Sequence, residues 1–141
     1  MLVDANILLF AVDATSPFHS PAADWLSEQL NGPRRVGLPW QSMGAFLRIS
    51  THSRAVERPL TPGEAWSQVE EWLGAEAAWI PVPTERHAEI LGLLLNTHQL
   101  RGNLVPDAQL AALAIEHGLT VYSADGDFAR FSELRWENPL R

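Results

Sequence analysis

The sequence predicts an α/β protein whose largely parallel central sheet of four to five strands is flanked by helices. Short β-branched or apolar runs alternate with longer segments of helical periodicity along the 141 residues. Strands that are separated by helical connections favour a parallel sheet covered on both faces. Because no internal repeat, linker or low-complexity segment divides the chain, we expect one domain over residues 1–141.

Five short segments are predicted as strands. Each combines apolar or β-branched residues with a following polar or proline-containing break. The last of them is the least regular. The predicted strands are residues 1–4, "RVGLP", "AWIPVP", residues 120–123 and "ELRWEN".

Six helices are predicted between or after these strands. The clearest start is Thr61-Pro62 with Glu64, which is typical of an N-cap, a first-turn proline and a capping box. Thr84 is predicted to cap a later helix, and Gly118 to end the last one. The predicted helices are a short one from about Asn6, one ending near Leu30, residues 40–51, one from Thr61 to Gly74, "TERHAEILGLLLNT" and "PDAQLAALAIEHG".

The composition excludes several classes of site. All ten basic residues are arginine, so a P-loop and a Schiff-base mechanism, which need lysine, are excluded. The absence of cysteine excludes thiolate chemistry and zinc–cysteine sites. The net charge of −7 argues against gripping nucleic acid by bulk electrostatics, but not against an enzyme that acts on it.

The chain also lacks the marks of membrane insertion or export. No apolar run approaches the ~18 residues that a membrane span needs, and the N-terminus has no basic region of the signal-peptide type. We therefore expect a cytoplasmic protein with no membrane partner.

Four of the six aspartates fall where a parallel sheet places its ligand site. Asp4 ends the first strand, Asp107 opens the last helix, and Asp125 and Asp127 directly follow the fourth strand. Sites in such sheets lie beyond the carboxyl ends of the strands, at a switch point. If the first and fourth strands are neighbours, Asp4 and Asp125 meet at one edge of the sheet.

Carboxylates gathered in this way need a counter-charge. Two of them ~4 Å apart repel by roughly 4 kcal/mol at an effective dielectric near 20. They must raise their pKa values or bind a cation, and an all-oxygen set suits Mg²⁺ or Mn²⁺ rather than zinc. The pattern thus predicts metal-assisted phosphodiester hydrolysis.

Each aspartate also has a purely structural interpretation. Asp107 could be a first-turn acid favoured by the helix dipole, and Asp125-Gly126-Asp127 could be a turn with Asx hydrogen bonds. Asp4 is harder to explain as a cap because apolar residues flank it on both sides.

Two arginines are candidates for holding the phosphates of a nucleic-acid substrate. Arg101 lies in the loop that leads to Asp107, and Arg48 lies on the helix after the second strand. Arg48 could equally be the structural partner of a buried carboxylate. The tryptophans, among them Trp25, Trp66 and Trp72, are interpreted as core or oligomer packing rather than as base-stacking groups.

The order and spacing of these segments resemble the PIN-domain ribonucleases, specifically the VapC toxins of bacterial toxin–antitoxin pairs. "LVDANILLFAVD" is similar to the family's opening strand and first acid, and "NLVPDAQLAALAIEHGLTVYSADGDFARF" to its second half. The closing "LRWENPL" resembles a mycobacterial-type branch of these toxins. The likeness covers nearly the whole chain.

The resemblance implies a Mg²⁺-dependent endoribonuclease, with Mn²⁺ as a substitute, that cleaves structured RNA such as tRNA or rRNA. Its catalytic and metal-binding acids correspond to Asp4, Asp107 and Asp125, with Asp127 completing the metal pocket. It also implies a homodimer that is inhibited by a small VapB-type antitoxin whose tail occupies the acidic cleft.

One departure from the family leaves an alternative open. "SMGAFLRIS" has Ala45 where the family usually has a glutamate, and only Gln41 or Ser42 could reach inward there, through a water. The departure puts a tightly held second metal in doubt. The alternative is a catalytically weakened PIN-like module for dimerisation or antitoxin binding. A haloacid-dehalogenase phosphatase is disfavoured because it needs an acid at Asn6 and a lysine.

Overall fold

A computed structural model describes all residues from Met1 to Arg141, and it has the predicted α/β architecture. Five parallel strands form one sheet in the order β3-β2-β1-β4-β5, so β1 lies at its centre. All five predicted strands are confirmed, although only two residues of each are in the sheet ladder. The strands are β1 Leu2–Val3, β2 Val36–Gly37, β3 Ala78–Trp79, β4 Val121–Tyr122 and β5 Trp136–Glu137.

Six α-helices connect and cover the strands, together with short 3-10 turns at Gly102–Leu104 and Gly126–Arg130. None of these helices is both long and apolar enough to span a bilayer. The helices are α1 Ala5–Val12, α2 His19–Leu30, α3 Trp40–Ser50, α4 Pro62–Leu73, α5 His87–His98 and α6 Val105–Glu116.

The sheet separates two hydrophobic clusters. Neighbouring residues of a strand point to opposite faces, and Leu2 accordingly packs with α5 and α6 while Val3 packs with α1 to α4. Phe46 of α3 and Trp72 of α4 meet edge to face at 4.8 Å within the second cluster. The sheet is therefore buried on both sides, and only its edges and strand ends are available for a site.

Local sequence signals located most helix ends correctly. The Thr61 hydroxyl accepts a hydrogen bond from the Glu64 amide, and the Glu64 carboxylate accepts one from the Thr61 amide, so the predicted capping box is confirmed. Gly118 has a φ of +67° just after α6, which suits a glycine at a helix stop.

The predicted cap at Thr84 is wrong. The helix begins only at His87, and the Thr84 side chain instead accepts a hydrogen bond from the Arg86 amide. The buried Glu116 carboxylate holds this segment, because it accepts hydrogen bonds from the Thr84 amide and from Nδ1 of His87. A contact between distant parts of the chain thus displaces the local capping pattern.

The tryptophans divide into buried and exposed positions. Trp72 is 6% exposed, which agrees with the core interpretation. Trp66 is 45% exposed and Trp40 is 48% exposed, so neither belongs to the core of this chain.

Candidate functional site

The central strands bring the predicted acids to one edge of the sheet. Leu2 is paired with Val121 and Val3 with Tyr122, so Asp4 leaves the sheet level with Ser123. The adjacency of the first and fourth strands is the arrangement that the sequence predicted. The site lies where the chain leaves neighbouring strands, at their carboxyl ends.

Asp4 is held in a single orientation by hydrogen bonds to both carboxylate oxygens. Its Oδ1 accepts a hydrogen bond from the Ala5 amide at 2.8 Å, as the N-cap of α1. Its Oδ2 accepts hydrogen bonds from the Ser123 hydroxyl at 2.7 Å and from Nδ2 of Asn6 at 3.3 Å. Asp4 is therefore an N-cap and a member of the acidic site at the same time.

Ser123 is the centre of the network behind Asp4. Its side chain is fully buried, and its Oγ accepts hydrogen bonds from Nδ2 of Asn6 and from the Asp125 amide, each at 3.0 Å. The Asn6 amide oxygen accepts a further bond from the Ala124 amide at 3.2 Å. These bonds join the start of α1 to the loop after β4.

Sequence reasoning missed Asn6 and Ser123 as site residues. The signal for them was their position, because each follows or ends a strand within two residues of an acid that was predicted. A polar side chain at such a position must satisfy its hydrogen-bonding groups once the strand ends are packed.

Three aspartates form a compact group of oxygen ligands. One carboxylate oxygen from each of Asp107, Asp125 and Asp127 lies within 4.8 Å of the other two. Asp107 is the third residue of α6, in its first turn, rather than the residue that opens the helix. The Asp4 oxygens are not among this group, although Asp4 is joined to Asp125 through Ser123.

Asp125 and Asp127 also make the turn that their sequence predicted. Oδ1 of Asp125 accepts a hydrogen bond from the Asp127 amide at 2.9 Å and caps the second 3-10 turn. Asp127 is the most open of the acids, with a side chain 52% exposed, and it pairs with Arg130 at 3.4 Å. The turn interpretation is correct, and it coexists with the grouping of the ligands.

The electrostatics of the edge reflect uncompensated negative charge. Burial, and then the charges of Asp125, Asp4 and Asp127, raise the pKa of Asp107 from 3.8 to about 6, against a small opposing effect of Arg130. Burial also raises the pKa of Asp4, although its hydrogen bonds from Ser123 and Ala5 oppose the rise. The acids thus lie in a field that favours a bound cation.

The donor set fits a hard divalent cation. The oxygens come from carboxylates, with amide and hydroxyl groups behind them, and neither histidine nor cysteine takes part. Such a set suits Mg²⁺ or Mn²⁺ and lacks the nitrogen and sulfur ligands that zinc prefers. The acidic group could therefore bind a divalent metal through Asp107, Asp125 and Asp127, with Asp4 beside them.

The helix α3 offers no acid to this site. Ala45 is half-buried, and the Gln41 amide donates a hydrogen bond to the Pro106 carbonyl at 3.5 Å. Ser42 is 2% exposed, and its hydroxyl has no hydrogen-bond partner. Gln41 thus connects α3 to the first turn of α6, next to Asp107.

The two predicted RNA-binding arginines lie on the surface and pair with no carboxylate. Arg48 is exposed in the last turn of α3, which removes the structural interpretation of it as a partner of a buried acid. Arg101 is exposed at the start of the first 3-10 turn. The arginine nearest the acids is Arg130, which the sequence reasoning did not single out.

Comparison with known proteins connects this geometry to a family. The PIN domain family matches residues 1–134. Ribonuclease VapC37 of Mycobacterium tuberculosis is 46% identical over 138 residues, which are 98% of this chain and 96% of that protein. Ribonuclease VapC33 of the same species is 38% identical over 141 residues, which are 100% of this chain and 99% of that protein.

Solved structures share the fold at lower identity. VapBC-1 from nontypeable Haemophilus influenzae has a TM-score of 0.70 at 16% identity, covering 99% of this chain and 98% of that one. VapC20 of M. tuberculosis, a toxin that cleaves the sarcin-ricin loop, has a TM-score of 0.68 at 21% identity, covering 95% and 98%. At these identities the likeness shows a common fold.

Proposed function

The chain belongs to the PIN-domain family of VapC ribonucleases, as its sequence resemblance predicted, and we propose that it is a Mg²⁺-dependent endoribonuclease toxin. Its reaction is the hydrolysis of phosphodiester bonds in structured RNA, of the tRNA or rRNA class. The observation that carries this proposal is the convergence of Asp107, Asp125 and Asp127, with Asp4 beside them, at the carboxyl edge of a parallel sheet.

We assign the metal to the acids according to their surroundings. Asp107 and Asp125 are half-buried and pair with no cationic side chain, so the Asp107 carboxylate and Oδ2 of Asp125 are free to ligate. Asp127 shares its carboxylate with Arg130 and completes the outer side of the pocket. Mg²⁺ bound there would activate water and stabilise the negative charge that develops on the phosphate.

The remaining polar groups hold the reacting centre in place. Ser123 and Asn6 fix the orientation of the Asp4 carboxylate, so this side chain requires no rearrangement when substrate binds. The first turn of α6 carries Asp107 with its amide groups facing the same edge, where the helix dipole favours negative charge.

The RNA needs local positive charge, because the net charge of the chain is −7. Arg48 and Arg101 are exposed and unpaired, and we assign them to phosphates of the bound RNA. Because an RNA substrate lies in the cytoplasm, the proposed activity takes place there.

We further infer that a VapB-type antitoxin inhibits the enzyme and that the enzyme is a homodimer. Structures with this fold include VapBC2 from Rickettsia felis bound to promoter DNA and FitAcB from Neisseria gonorrhoeae. The excess of negative charge at the edge suits a basic segment, whose arginine would pair with the carboxylates or displace the metal.

Cleavage of RNA by the purified protein tests the catalytic proposal. We expect Mg²⁺-dependent cleavage of total RNA, and we expect Asp4→Asn to reduce it by at least about 100-fold, as loss of an electrostatic catalytic group does. Asp24→Asn is the matched control, because Asp24 is an exposed aspartate on α2 that makes no ion pair. An inactive parent chain that still binds an antitoxin would favour the weakened-module alternative that Ala45 leaves open.

A further inference from the structure

A pair of exposed tryptophans lies beside the acidic edge and has no role in the function proposed above. The rings of Trp40 and Trp66 are nearly parallel, with an interplanar angle of 5° and centroids 6.5 Å apart. The two residues are 48% and 45% exposed, so about half of each remains open to solvent. The two rings together form one contiguous apolar surface, and contiguous exposed apolar surfaces are where interaction sites are found.

The strand register brings the start of α3, which carries Trp40, to the edge of the sheet that carries Asp4. Leu2 of β1 is paired with Gly37 of β2, and two residues later Asp4 and Pro39 leave the sheet at the same edge. Trp40 follows Pro39 as the first residue of α3, and its neighbour Gln41 donates to the carbonyl that precedes Asp107. The helix that carries Trp40 therefore begins at the same edge of the sheet as the acids.

An open strip runs from Trp40 along α3. Trp40, Gly44 and Arg48 are four residues apart, so they share one face of the helix, and all three are exposed. A Cβ added to Gly44 would meet no other atom within 4 Å, so nothing covers the strip between the ring and the arginine. The strip is about 12 Å long at 1.5 Å per residue.

We propose that the Trp40–Trp66 pair is a stacking platform for a nucleobase of the RNA whose phosphates reach Arg48. The inference rests on the proposed RNA substrate. It gives a source of RNA affinity for a chain whose net charge of −7 provides no overall electrostatic attraction. Stacking on an aromatic ring is independent of charge and tolerates every base, because each base has a π-face. Binding along α3 thus comes from a ring and an arginine on one helix rather than from a basic surface.

The test compares RNA with and without bases. One probe is a fluorescein-labelled single-stranded RNA of about 16 nucleotides. The other is an abasic RNA of the same length, and its binding is measured separately. All proteins carry Asp4→Asn so that bound RNA is not cleaved, and Mg²⁺ is present. Trp40→Ala should weaken binding of the RNA with bases by about 10- to 100-fold and leave the abasic RNA nearly unaffected. Trp40→Phe should retain most of the binding.

One further variant tests the strip without changing the rings, and two control variants accompany it. Gly44→Glu places a negative charge between Trp40 and Arg48 and should weaken both RNAs several-fold. Gly92→Glu makes the same change on α5, on the other side of the sheet, at a glycine that is equally free of contacts. Phe18→Ala removes an aromatic residue of similar exposure, 47%, beyond the far end of α1. Both controls should bind RNA like the parent.

The outcomes separate this inference from the function on which it rests. If the protein with Trp40 intact binds neither RNA, the proposed RNA substrate is wrong. If it binds RNA and Trp40→Ala binds equally well, the proposed stacking platform is refuted. The same holds if Trp40→Ala loses affinity for both RNAs by the same factor. A change in oligomeric state by light scattering with unaltered RNA binding would likewise overturn it and assign the pair to a protein interface.

Discussion

The substitution Asp107→Asn isolates the electrostatic strain of the acidic edge. Asp107 accepts no hydrogen bond from another side chain, so asparagine removes its charge and leaves the shape and the surrounding bonds intact. We expect the variant, without metal and above pH 7, to be more stable than the parent. The same variant should lose most of its stabilisation by Mg²⁺.

The magnitude follows from the pKa of Asp107. Each pKa unit corresponds to about 1.4 kcal/mol of free energy. For a fully desolvated group, a rise in pKa from 3.8 to about 6 would therefore lower the free energy of unfolding at neutral pH by about 3 kcal/mol. Asp107 is only half-buried, and solvent screening reduces this to about 1 kcal/mol. Asparagine also gives up a few tenths of a kcal/mol from the helix dipole at the first turn of α6.

The sign of the effect depends on pH in a defined way. The native state holds the proton of Asp107 up to about pH 6, whereas the unfolded chain releases it near 3.8. The contribution of this group to the free energy of unfolding is therefore complete below about pH 3.8 and is lost as the pH rises through about 6. The advantage of Asp107→Asn should be absent at low pH and fully developed near pH 7.

Thermal unfolding in a chelating buffer measures this difference. Between about pH 4 and pH 8, the melting temperature of the variant should rise relative to the parent by about 2–4 °C for a chain of this size. Added Mg²⁺ should then raise the melting temperature of the parent and remove the difference from the variant, because the ion binds the folded state. A variant less stable than the parent at pH 8, or a difference independent of pH, would refute the reasoning.

The remaining predictions concern the network, the RNA and the antitoxin. Ser123→Ala leaves buried partners unsatisfied and should cost about 1–3 kcal/mol in denaturant unfolding, whereas Ser132→Ala on the surface should cost almost nothing. Arg101→Ala should weaken RNA binding and flatten the dependence of log K on log salt by up to about one, with metal affinity unchanged; an unaltered slope would count against it. A basic antitoxin peptide should bind more weakly as salt increases and should compete with Mg²⁺ in calorimetry, and binding insensitive to both would exclude docking in the acidic edge.

Much of the fold could be predicted because it depends on neighbouring residues. The capping box at Thr61 and the stop at Gly118 are local interactions, which a few residues carry with them. The placement of Asp4 and Asp125 at one edge needed a single further rule, that strands joined by helices pair in parallel. These features were present in the sequence as position and spacing.

Contacts between distant segments decided the rest. The start of α5 depends on Glu116, about thirty residues from Thr84 and His87, and no local pattern reports such a partner. Ser123 became the centre of the hydrogen-bond network behind Asp4 only because β1 and β4 are adjacent and bring Asp4 and Asn6 to it.

The solvent exposure of individual side chains likewise could not be predicted from the sequence. Trp66 and Trp72 lie on the same helix, yet packing against Phe46 buries Trp72 and leaves Trp66 facing Trp40 and the solvent. The types of residue and their spacing determined which chemistry the chain can hold. The tertiary structure decided which side chains lie in the site, because burial and long-range hydrogen bonds exist only once the sheet and helices are packed together.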